Sequence, residues 1–495
     1  MVFGVLLATG GKAQAASWVE INEKNFPDKA SREYLIGNSE TQSENFKERN
    51  GKYYVNVSGV TELYRGSEDQ TIKDTDFLKK FKRLSSLGIT TSDSTVKLPA
   101  SVKSVMIEFK GKMLELSAPG ATELRLDGAH KRKSDYCFLK LRDVSKLEKL
   151  SIYDIKGISG LSGLKNLEEV DMGDNLSTRI DLSKSAGLSR VNITDASMLT
   201  SVRLPYGIEY LTLSNTRLSQ IDVRKQKKLK TLTCSNSRLS SLKMGKNNKI
   251  TLIDVSGNEK LAVKLNSSMY PELSYLDVSG TAINKIDVTK YKKLETLKAA
   301  DTAIRTLNVT KNRNLSDLDV SGTKKLNRVN VTQNRKLWKL NVSNTNIKTL
   351  NVTQNIKLYL LNVSGAKKIK SLNVTKCQNL SSLYTTGSGI DNINISKNKA
   401  LDTLYPTNAA MKFKGINGRD MNLVYVGLKN GSVISLSDIA GSGYKLKRSS
   451  KNVRFNSRTM NIKTLQVKAR GYIYFEKGEC TLVITFKEKD KDVIN

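Results

Sequence analysis

Few residues in this chain could perform nucleophilic or acid–base catalysis. Its one histidine, His130, lies in the basic run His130-Lys131-Arg132-Lys133, and Cys137 follows close behind it. Hydrolytic triads need a base that titrates near neutrality, usually histidine, and a thiol beside such a base can act as a nucleophile. No residue that would orient the histidine stands at a recognisable spacing. We therefore interpret His130 as a solvated loop residue.

Carboxylate pairs could also perform acid–base chemistry, and Asp317 and Asp319 form such a pair around Leu318. Asp254 and Asp277 stand at the same places in related segments, so the carboxylates recur along the chain. Such recurrence is typical of a solvated surface stripe that a repeat generates. The sequence also has no glycine-rich phosphate-binding loop and no clustered set of metal ligands. We expect a non-enzymatic protein with no cofactor and no bound metal.

Composition bounds the fold and the partners. The 495 residues exceed the roughly 250–300 at which a single core stops growing, so the chain holds several domains or a repeat array. Its 11 Phe and 2 Trp are few, which favours many thin layers of Leu, Ile and Val. The 82 Lys and Arg against 47 Asp and Glu give a net charge of +35. That charge attracts polyanions, whether nucleic acid, anionic cell wall or acidic glycan.

A repeat positions most of these residues. The pattern Leu-x-x-Leu-x-Val recurs at intervals of 20 to 23 residues, and a fixed period of this size predicts a solenoid. Weaker anchors precede the regular array, and together they predict about sixteen coils. The regular anchors are Leu147, Leu167, Leu188, Ile208, Leu229, Ile250, Leu273, Leu294, Leu315, Leu337, Leu358, Leu380 and Leu401, and the weaker ones are Leu84, Val102 and Ala121.

The coil of residues 315–336 shows how the pattern translates into structure. Leu315, Leu318 and Val320 are expected to point inward, and the residues between them outward, as a strand requires. A buried Thr323 hydroxyl can satisfy backbone groups of the turn shared with the next coil. The pattern then recurs within the same coil as Leu326-x-x-Val329-x-Val331, and an asparagine follows it at the same place in several coils; we call this column the asparagine ladder. Each coil is therefore expected to hold two extended segments and no full helix. The ladder residues are Asn312, Asn334, Asn355 and Asn398.

This pattern resembles the leucine-rich-repeat family, in particular secreted bacterial proteins with short repeats of about 21 residues. The resemblance covers residues 84–404. It implies a right-handed parallel β superhelix, with a concave parallel sheet and little helix on the convex side. Residues 21–28 and 32–35 resemble the short helical segment that precedes such arrays. Residues 38–50 lack the alternating acidic ligands of the calcium loop that relatives insert nearby, so calcium is not expected.

After Tyr405 the period stops, and short alternating segments separated by polar or glycine turns indicate strands. Their spacing predicts a small β-sandwich, which resembles the bacterial immunoglobulin-like domains that follow secreted repeat arrays. The order of helix, repeats and sandwich also resembles the internalins, although the wall-sorting motif is absent. The predicted strands are residues 433–436, 444–446, 453–455, 465–467 and 480–486.

These features predict a signal-peptide remnant at residues 1–16, a helical N-terminal cap at 17–83, the solenoid at 84–408 and the sandwich at 409–495. Residues 2–9 are apolar, and Ala13-Gln14-Ala15 has the form of a signal-peptidase site. The basic segment that precedes such a core is missing, so we expect the true start to lie upstream; the alternative is a buried N-terminal strand. No later run approaches the roughly 18–20 apolar residues of a membrane helix. We expect a secreted bacterial protein, soluble or held non-covalently at the cell wall.

The cysteines are expected to be structural. Cys234 falls on an inward position and Cys377 on a ladder position, and about seven coils of roughly 4.8 Å separate them, which exceeds disulfide reach. Both are predicted to be free buried thiols, and no bridge is expected between Cys137 and Cys480. Triplets such as Asn308-Val309-Thr310 have the form of glycosylation sites. We interpret them as a product of the repeat register.

Outward aromatic residues are the candidates for a binding site. Most coils carry small polar residues at the outward strand positions, and exposed aromatics on a concave sheet are common anchors of recognition. For Tyr384 and Tyr405, covering the junction with the C-terminal domain is an equal alternative. The nominated residues are Tyr210, Tyr275, Trp338, Tyr359, Leu360, Tyr384 and Tyr405.

The sequence thus favours a secreted or surface-associated binding or adhesion protein, expected to be a monomer, whose concave face engages a protein or a glycan. Basic residues in turns and on the back would hold it to an anionic cell-envelope polymer, and specific nucleic-acid binding is not expected. The alternative is an accessory protein or weak enzyme acting on cell-wall or host polysaccharide. The basic residues are Lys290, Lys292, Lys293, Arg313, Lys324, Lys325, Arg335, Lys336, Lys367 and Lys368.

Overall fold

A computed structural model of the chain describes residues 17–39, 42, 44–64, 70–128, 135–162, 164–262, 265, 267–417, 419–426, 428, 432–440, 445–450, 453–459, 461–464, 471–477 and 480–487. The chain divides into two compact units, Met1–Leu218 and Ser219–Asn495. The segment expected to be a signal-peptide remnant, His130 with its basic neighbours, and the strand expected at 465–467 lie outside the described residues. No helix in the described part of the chain has the length and apolarity needed to cross a bilayer.

The first unit begins with a segment of mixed structure. Its helix Lys29–Ser39 starts after Asp28, whose carboxylate accepts the Ser31 N–H at 2.9 Å and so satisfies one of the free amides at the helix start. The strand Lys52–Asn56, rich in β-forming residues, pairs antiparallel with Trp18–Glu20 and with Phe46–Arg49. A 3-10 helix follows at Asp76–Lys80. The helix expected around residues 32–35 is therefore present, and antiparallel strands share the region that the sequence assigned to a helical cap.

Successive coils of the first unit add parallel strands to one sheet, here called the first main sheet. Apolar and polar side chains alternate along each strand: in Lys149–Tyr153, Leu150 and Ile152 are buried and the other side chains face outward. The strands in order are Glu62–Leu63, Ser86–Thr91, Ser104–Phe109, Glu123–Gly128, Lys149–Tyr153, Glu169–Gly173, Arg190–Thr194 and Tyr210–Ser214.

The second extended segments of these coils form another parallel sheet, here called the first back sheet. Its strands in order are Thr95–Lys97, Met113–Ser117, Cys137–Arg142 and Ile155–Ser159. The register between the last two strands shifts at Cys137 and Phe138, which is a β-bulge. The next strand, Arg179–Asp181, does not continue this sheet among the described residues; it pairs with Ser201–Arg203.

The second unit repeats the arrangement with shorter strands. Its coils add three-residue strands to a parallel sheet, here called the second main sheet, each with a buried central residue such as Leu318. Elsewhere in the coils, Gln220–Asp222 pairs with Ser241–Lys243 and Asn392–Asn394 with Lys412–Lys414. The strands of the second main sheet in order are Thr231–Thr233, Leu252–Asp254, Tyr275–Asp277, Thr296–Lys298, Asp317–Asp319, Lys339–Asn341, Leu360–Asn362, Ser382–Tyr384 and Thr403–Tyr405.

The predicted repeat anchors form the core. Each of the regular and weaker anchors is at most 1% exposed, which confirms the period read from the sequence. The ladder asparagines are also buried, and each donates from Nδ2 to carbonyls of the preceding coil; Asn334, for example, reaches the Val309 and Asn312 oxygens at 2.9 and 2.7 Å. Because a buried carbonyl without a donor is costly, the ladder stabilises each turn.

Cysteines and Asn-x-Thr triplets both occupy structural positions in the coils. Cys234 and Cys377 are buried free thiols, as predicted, and Cys377 donates from its ladder position to the Val352 oxygen at 3.4 Å. In the triplet Asn308-Val309-Thr310, the Asn308 Oδ1 accepts the Thr310 N–H at 3.1 Å and the Thr310 hydroxyl at 2.7 Å. The triplet therefore has a structural role in a turn, and Asn330, Asn351 and Asn373 repeat it.

A second turn in each coil places one residue in the left-handed backbone region, where asparagine, aspartate and glycine are favoured. In the second unit this column consists of Asn236, Gly257, Gly280, Asp301, Gly322, Asn344, Gly365 and Gly387. The residues are close-stacked, because a Cβ on Gly322 would overlap the Asp301 Oδ1.

The second main sheet continues past residue 408, where the sequence predicted the array to end. Met421–Val426 pairs in parallel with Thr403–Tyr405, and Cys480–Lys487, Gly471–Lys477 and Lys445–Ser449 extend the sheet further. A separate antiparallel sheet holds Val433–Ser435, Asn461–Thr464 and Val453–Asn456, and the short helix Leu436–Ala440 follows the first of these strands. The Phe455 and Phe475 rings meet edge to face between the two sheets, 5.0 Å apart. An immunoglobulin-like sandwich stays a prediction, since one of its two sheets is continuous with the solenoid.

Candidate functional site

The outward position at the end of each strand in the second main sheet normally has a structural role. Asp254, Asp277 and Asp319 each accept, through Oδ1, the N–H of the serine two residues later, at 2.8 to 2.9 Å. Asn341 and Asn362 make the same bond at 3.1 and 2.9 Å. A short acceptor side chain at this position therefore holds the turn that follows.

Tyrosines replace that acceptor in the last two coils of the array. Tyr384 and Tyr405 occupy the same position of neighbouring strands, and their rings stack with centroids 4.3 Å apart and planes 18° from parallel. Burial raises the pKa of the Tyr384 hydroxyl, and the adjacent Tyr405 adds to the shift. Neither phenol can accept the N–H of the residue two positions later, as the shorter carboxylates do. The aromatic pair thus gives up a local stabilising bond.

A second replacement occurs just before the strands begin. Ser274 and Ser316 stand at this position and donate their hydroxyls to carbonyls of the preceding coil at 3.1 Å. The next two coils carry Trp338 and Tyr359, whose rings stack almost parallel, with centroids 4.9 Å apart and a 7° angle between planes. This adjacency follows from the register, since Tyr359 N–H donates to the Trp338 oxygen at 2.8 Å. The rings remain exposed, Trp338 by 51% and Tyr359 by 40%.

Small residues flank the Trp338–Tyr359 stack on both sides. Backbone hydrogen bonds place Ser316 in the coil before Trp338 and Ser381 in the coil after Tyr359. Each ring therefore has a neighbouring ring on one face and a small side chain beside the other. Leu360 follows Tyr359 at the start of its strand and is half-buried. The result is an exposed apolar patch formed by the two stacked rings and Leu360.

Four of the seven nominated residues form two ring stacks, and Leu360 adjoins one of them. Trp338, Tyr359, Leu360, Tyr384 and Tyr405 lie on four successive coils, and we call them the aromatic cluster.

Tyr275 and Tyr210 do not belong to this cluster. Tyr275 is separated from Lys339 by two intervening strands, and Lys298 Nζ lies over its ring, 5.6 Å from the centroid. Tyr210 belongs to the first unit, where the Arg190 guanidinium covers it at 4.8 Å while pairing with Glu169 at 3.2 Å. Both tyrosines are thus engaged by basic side chains of neighbouring strands.

The carboxylates between Tyr275 and Trp338 are less solvated than the sequence suggested. Asp277 is 7% exposed, so its assignment to a solvated stripe is wrong. Burial raises the pKa of Asp277 and of the half-buried Asp317. The cause is desolvation between the packed strands, and Lys298 Nζ, 4.0 Å from the Asp277 carboxylate, partly opposes the shift.

The three described cysteine thiols are buried and are poor nucleophiles. Burial raises the pKa of the Cys137 and Cys377 thiols to about 11 and that of Cys234 to about 12, so all three stay protonated at neutral pH. In the part of the chain that the structure describes, no group of three or more His, Cys, Asp or Glu could hold a metal ion.

The basic residues nominated for polyanion binding are exposed in turns. Lys293 pairs with Glu272, whereas none of Lys290, Lys292, Arg313 or Lys324 forms an ion pair with a described residue. Sequence reasoning missed one further cation, Arg419, which has a structural role and is partly buried at the end of the asparagine ladder. Its spacing of one repeat from Asn398 was the signal that could have found it.

These coils, ladders and parallel sheets define a β-solenoid of the leucine-rich-repeat type. The chain is similar in structure to the functional domain of InlJ from Listeria monocytogenes, which includes a cysteine ladder, with a TM-score of 0.60 and 18% identity over 96% of this chain and 100% of that chain. It is less similar to YopM from Yersinia enterocolitica, with a TM-score of 0.47 and 18% identity over 82% of this chain and 90% of that chain. An internalin from Listeria monocytogenes gives a TM-score of 0.30 and 14% identity over 77% and 90% of the respective chains. No family profile matches the chain, and no curated protein matches it.

Proposed function

We propose that this protein is a non-enzymatic binding protein whose aromatic cluster engages a protein or glycan partner. The observation that carries the proposal is the pair of ring stacks at positions where other coils have small residues that bond the backbone. Trp338 and Tyr359 lose those bonds and remain exposed. Large exposed aromatics of this kind are frequent hot spots of recognition.

The stacked geometry suits an apolar anchor. Because the Trp338 and Tyr359 rings already face one another, their outer faces and edges are the surfaces left for a partner. Leu360 widens the apolar area, and the small side chains of the flanking Ser316 and Ser381 leave room beside the rings. An apolar side chain or the face of a sugar ring could occupy this place.

The same proposal includes a second, weaker mode of attachment. The exposed basic residues in the turns form a spread positive surface that favours diffuse adhesion to an anionic cell-envelope polymer. Together with the expected signal peptide, this supports a secreted protein that acts at or near a cell surface, as a monomer. Adhesion of this kind weakens as salt rises, since screening shortens the reach of exposed charges.

A binding screen tests the proposal. The intact chain and the Trp338→Ala/Tyr359→Ala variant are applied to an array of extracellular proteins and to an array of glycans. The parent is expected to bind members of one class, and the double variant to lose those signals. Tyr206→Ala, which removes an exposed aromatic ring of the first unit, serves as the matched control. Equal binding by the parent and the double variant would overturn the assignment of the site.

A further inference from the structure

The first unit contains a groove whose lining shares no residue with the aromatic cluster. It has a volume of about 750 Å³ and opens beside the last strand of the first back sheet, Ile155–Ser159. Its apolar wall includes Met113, Phe138 and Met198, which are 58%, 46% and 36% exposed. Exposed methionine and phenylalanine side chains grouped in one concavity are typical of surfaces that bind a partner's apolar residue.

The groove exists because the segment that follows Leu176 does not continue to pair with the edge strand Ile155–Ser159. Leu176 N–H donates to the Ile155 oxygen at 2.9 Å, as the next strand of the sheet would. The chain then diverges, and Arg179–Asp181 pairs with Ser201–Arg203 instead. Among the residues that the structure describes, none pairs with the edge of Ile155–Ser159 beyond Ile155. The strand therefore offers backbone donors and acceptors to an added extended segment.

The bulge in this edge shapes the groove floor. The shift between Cys137 and Phe138 sets Phe138 opposite Gly157, and the ring lies across the glycine, where a Cβ would be 2.8 Å from the ring. Gly157 thus allows the ring to lie flat against the strand. The ring also supports Lys156, whose Nζ is 5.6 Å from its centroid. The apolar floor and the basic rim are consequently parts of one arrangement.

The charge of the rim is positive. Lys156 and Arg179 both line the groove, and within the described residues neither forms an ion pair. Lys140, the third basic residue of the rim, pairs with Glu115 at 3.0 Å. Ser177 adds a buried hydroxyl that has no hydrogen-bond partner among the described atoms. A ligand with carboxylates beside an apolar group complements this lining.

We propose that this groove binds an extended segment of a partner protein in which a bulky apolar side chain is flanked by acidic residues. The apolar side chain packs on Phe138 between Met113 and Met198. Its backbone adds to the open edge of Ile155–Ser159, and its carboxylates pair with Lys156 and Arg179. The site is independent of the aromatic cluster, so each can be tested without the other.

Fluorescence anisotropy with defined peptides tests this site on the intact chain. The probe is a capped, labelled heptapeptide in which Asp and Glu alternate with Val, Phe and Val. Two matched peptides replace the acidic residues by Lys, or the Phe by Ala. We expect the acidic peptide with Phe to bind, and each matched peptide to bind at least about tenfold more weakly.

Variants locate the binding. Phe138→Ala and Lys156→Glu are each expected to weaken binding by about tenfold or more, whereas Tyr206→Ala and Lys97→Glu, on an exposed lysine of the opposite edge strand, should change it less than about twofold. Circular dichroism on heating checks that Phe138→Ala remains folded. Trp338→Ala/Tyr359→Ala should leave peptide binding unchanged, which separates this site from the proposed function. The proposal fails if no peptide binds up to about 1 mM, if the basic peptide binds equally well, or if the groove variants match the parent.

Discussion

Arg419 occupies the ladder position that follows Asn398. Asn398 Nδ2 donates to the Val374 and Cys377 carbonyls of the preceding coil, at 2.7 Å each. One repeat later, the Arg419 guanidinium donates to the corresponding carbonyls of the Asn398 coil, Ile395 at 3.0 Å and Asn398 itself. It also reaches the Leu401 oxygen at 3.1 Å. A longer, multiply donating side chain thus closes a ladder that asparagines build.

Removing this guanidinium should loosen the end of the array. Arg419→Ala leaves several part-buried carbonyls without a donor, and each such group costs about 1–3 kcal/mol. We expect the free energy of local opening around residues 395–425 to fall by about 2 kcal/mol, measured by native-state hydrogen exchange. Arg454→Ala, at an exposed arginine of the same unit, is the control. Unchanged exchange in Arg419→Ala would mean that the carbonyls are satisfied in another way.

The left-handed column predicts a coupling between neighbouring coils. Gly322 has φ +64°, and a Cβ there would overlap Asp301 Oδ1. Gly322→Ala should therefore lower the free energy of unfolding by about 2 kcal/mol, of which about 1 kcal/mol is the backbone cost of an L-residue in this region. In an Asp301→Gly background the overlap is absent, so the alanine should cost only about 1 kcal/mol. Denaturant unfolding of the four chains measures the coupling, and strictly additive effects would refute the clash.

Two aspartates of one coil should contribute to the stability of the fold with opposite dependences on pH. Burial raises the pKa of Asp277 in the folded chain, so its ionised form is disfavoured and its contribution to stability falls as pH rises through the raised value. Hydrogen bonds from Thr289 lower the pKa of the exposed Asp287, so its contribution is present above the ordinary aspartate value and is lost on acidification.

Asn substitutions at the two positions check these signs. Asp277→Asn keeps the acceptor for the Ser279 N–H and should raise the unfolding temperature at pH 7. The gain should vanish below the ordinary aspartate pKa. Asp287→Asn should not stabilise the protein at pH 7. If both variants shift the unfolding temperature in the same direction at neutral pH, the burial of Asp277 does not control its ionisation.

The Trp338–Tyr359 stack predicts a large effect on binding with a small effect on stability. Both rings are exposed, so Trp338→Ala/Tyr359→Ala should change the free energy of unfolding by roughly 0.5 kcal/mol per residue or less. For a partner found by the array screen, affinity should fall about thirtyfold or more, which corresponds to the loss of a hot spot of about 2 kcal/mol. Calorimetric titration provides the measurement. Lys336→Ala, in the turn before Trp338, is expected to leave this affinity nearly unchanged while weakening adhesion to a purified anionic wall polymer.

The sequence was most informative where one periodicity controls the chain. Anchors such as Leu315 and Leu401 could be placed in the core because one inward position recurs once per coil, and their burial follows from that spacing alone. The neighbouring Trp338 and Tyr359 could be placed side by side for the same reason. Periodicity fixes which residues share a column, and column neighbours are necessarily in contact.

Features that depend on how a coil departs from the pattern were harder to predict. Asp277 matches the outward pattern, yet the neighbouring strands cover it, since outward direction does not ensure exposure. The groove beside Phe138 arises from a bulge and from a chain that diverges after Leu176, and neither alters the spacing of the anchors. At the ladder position one repeat after Asn398, the chain has Arg419 instead of an asparagine. Its role became visible once the carbonyls that it contacts were known.

The pairing of Met421–Val426 with Thr403–Tyr405 has a consequence for self-association. An array cut at residue 408 would present the bare edge of Thr403–Tyr405, together with the carbonyls that Arg419 covers. Open edges of parallel sheets recruit other chains, and solenoids need a terminal element that blocks this growth. In this protein the strand next to Cys480–Lys487 is Gly471–Lys477, which runs antiparallel to it. A further coil therefore cannot add a parallel strand in register at this place. The residues after the repeats should therefore protect this end of the array from end-to-end aggregation, and shortened arrays that omit them should polymerise.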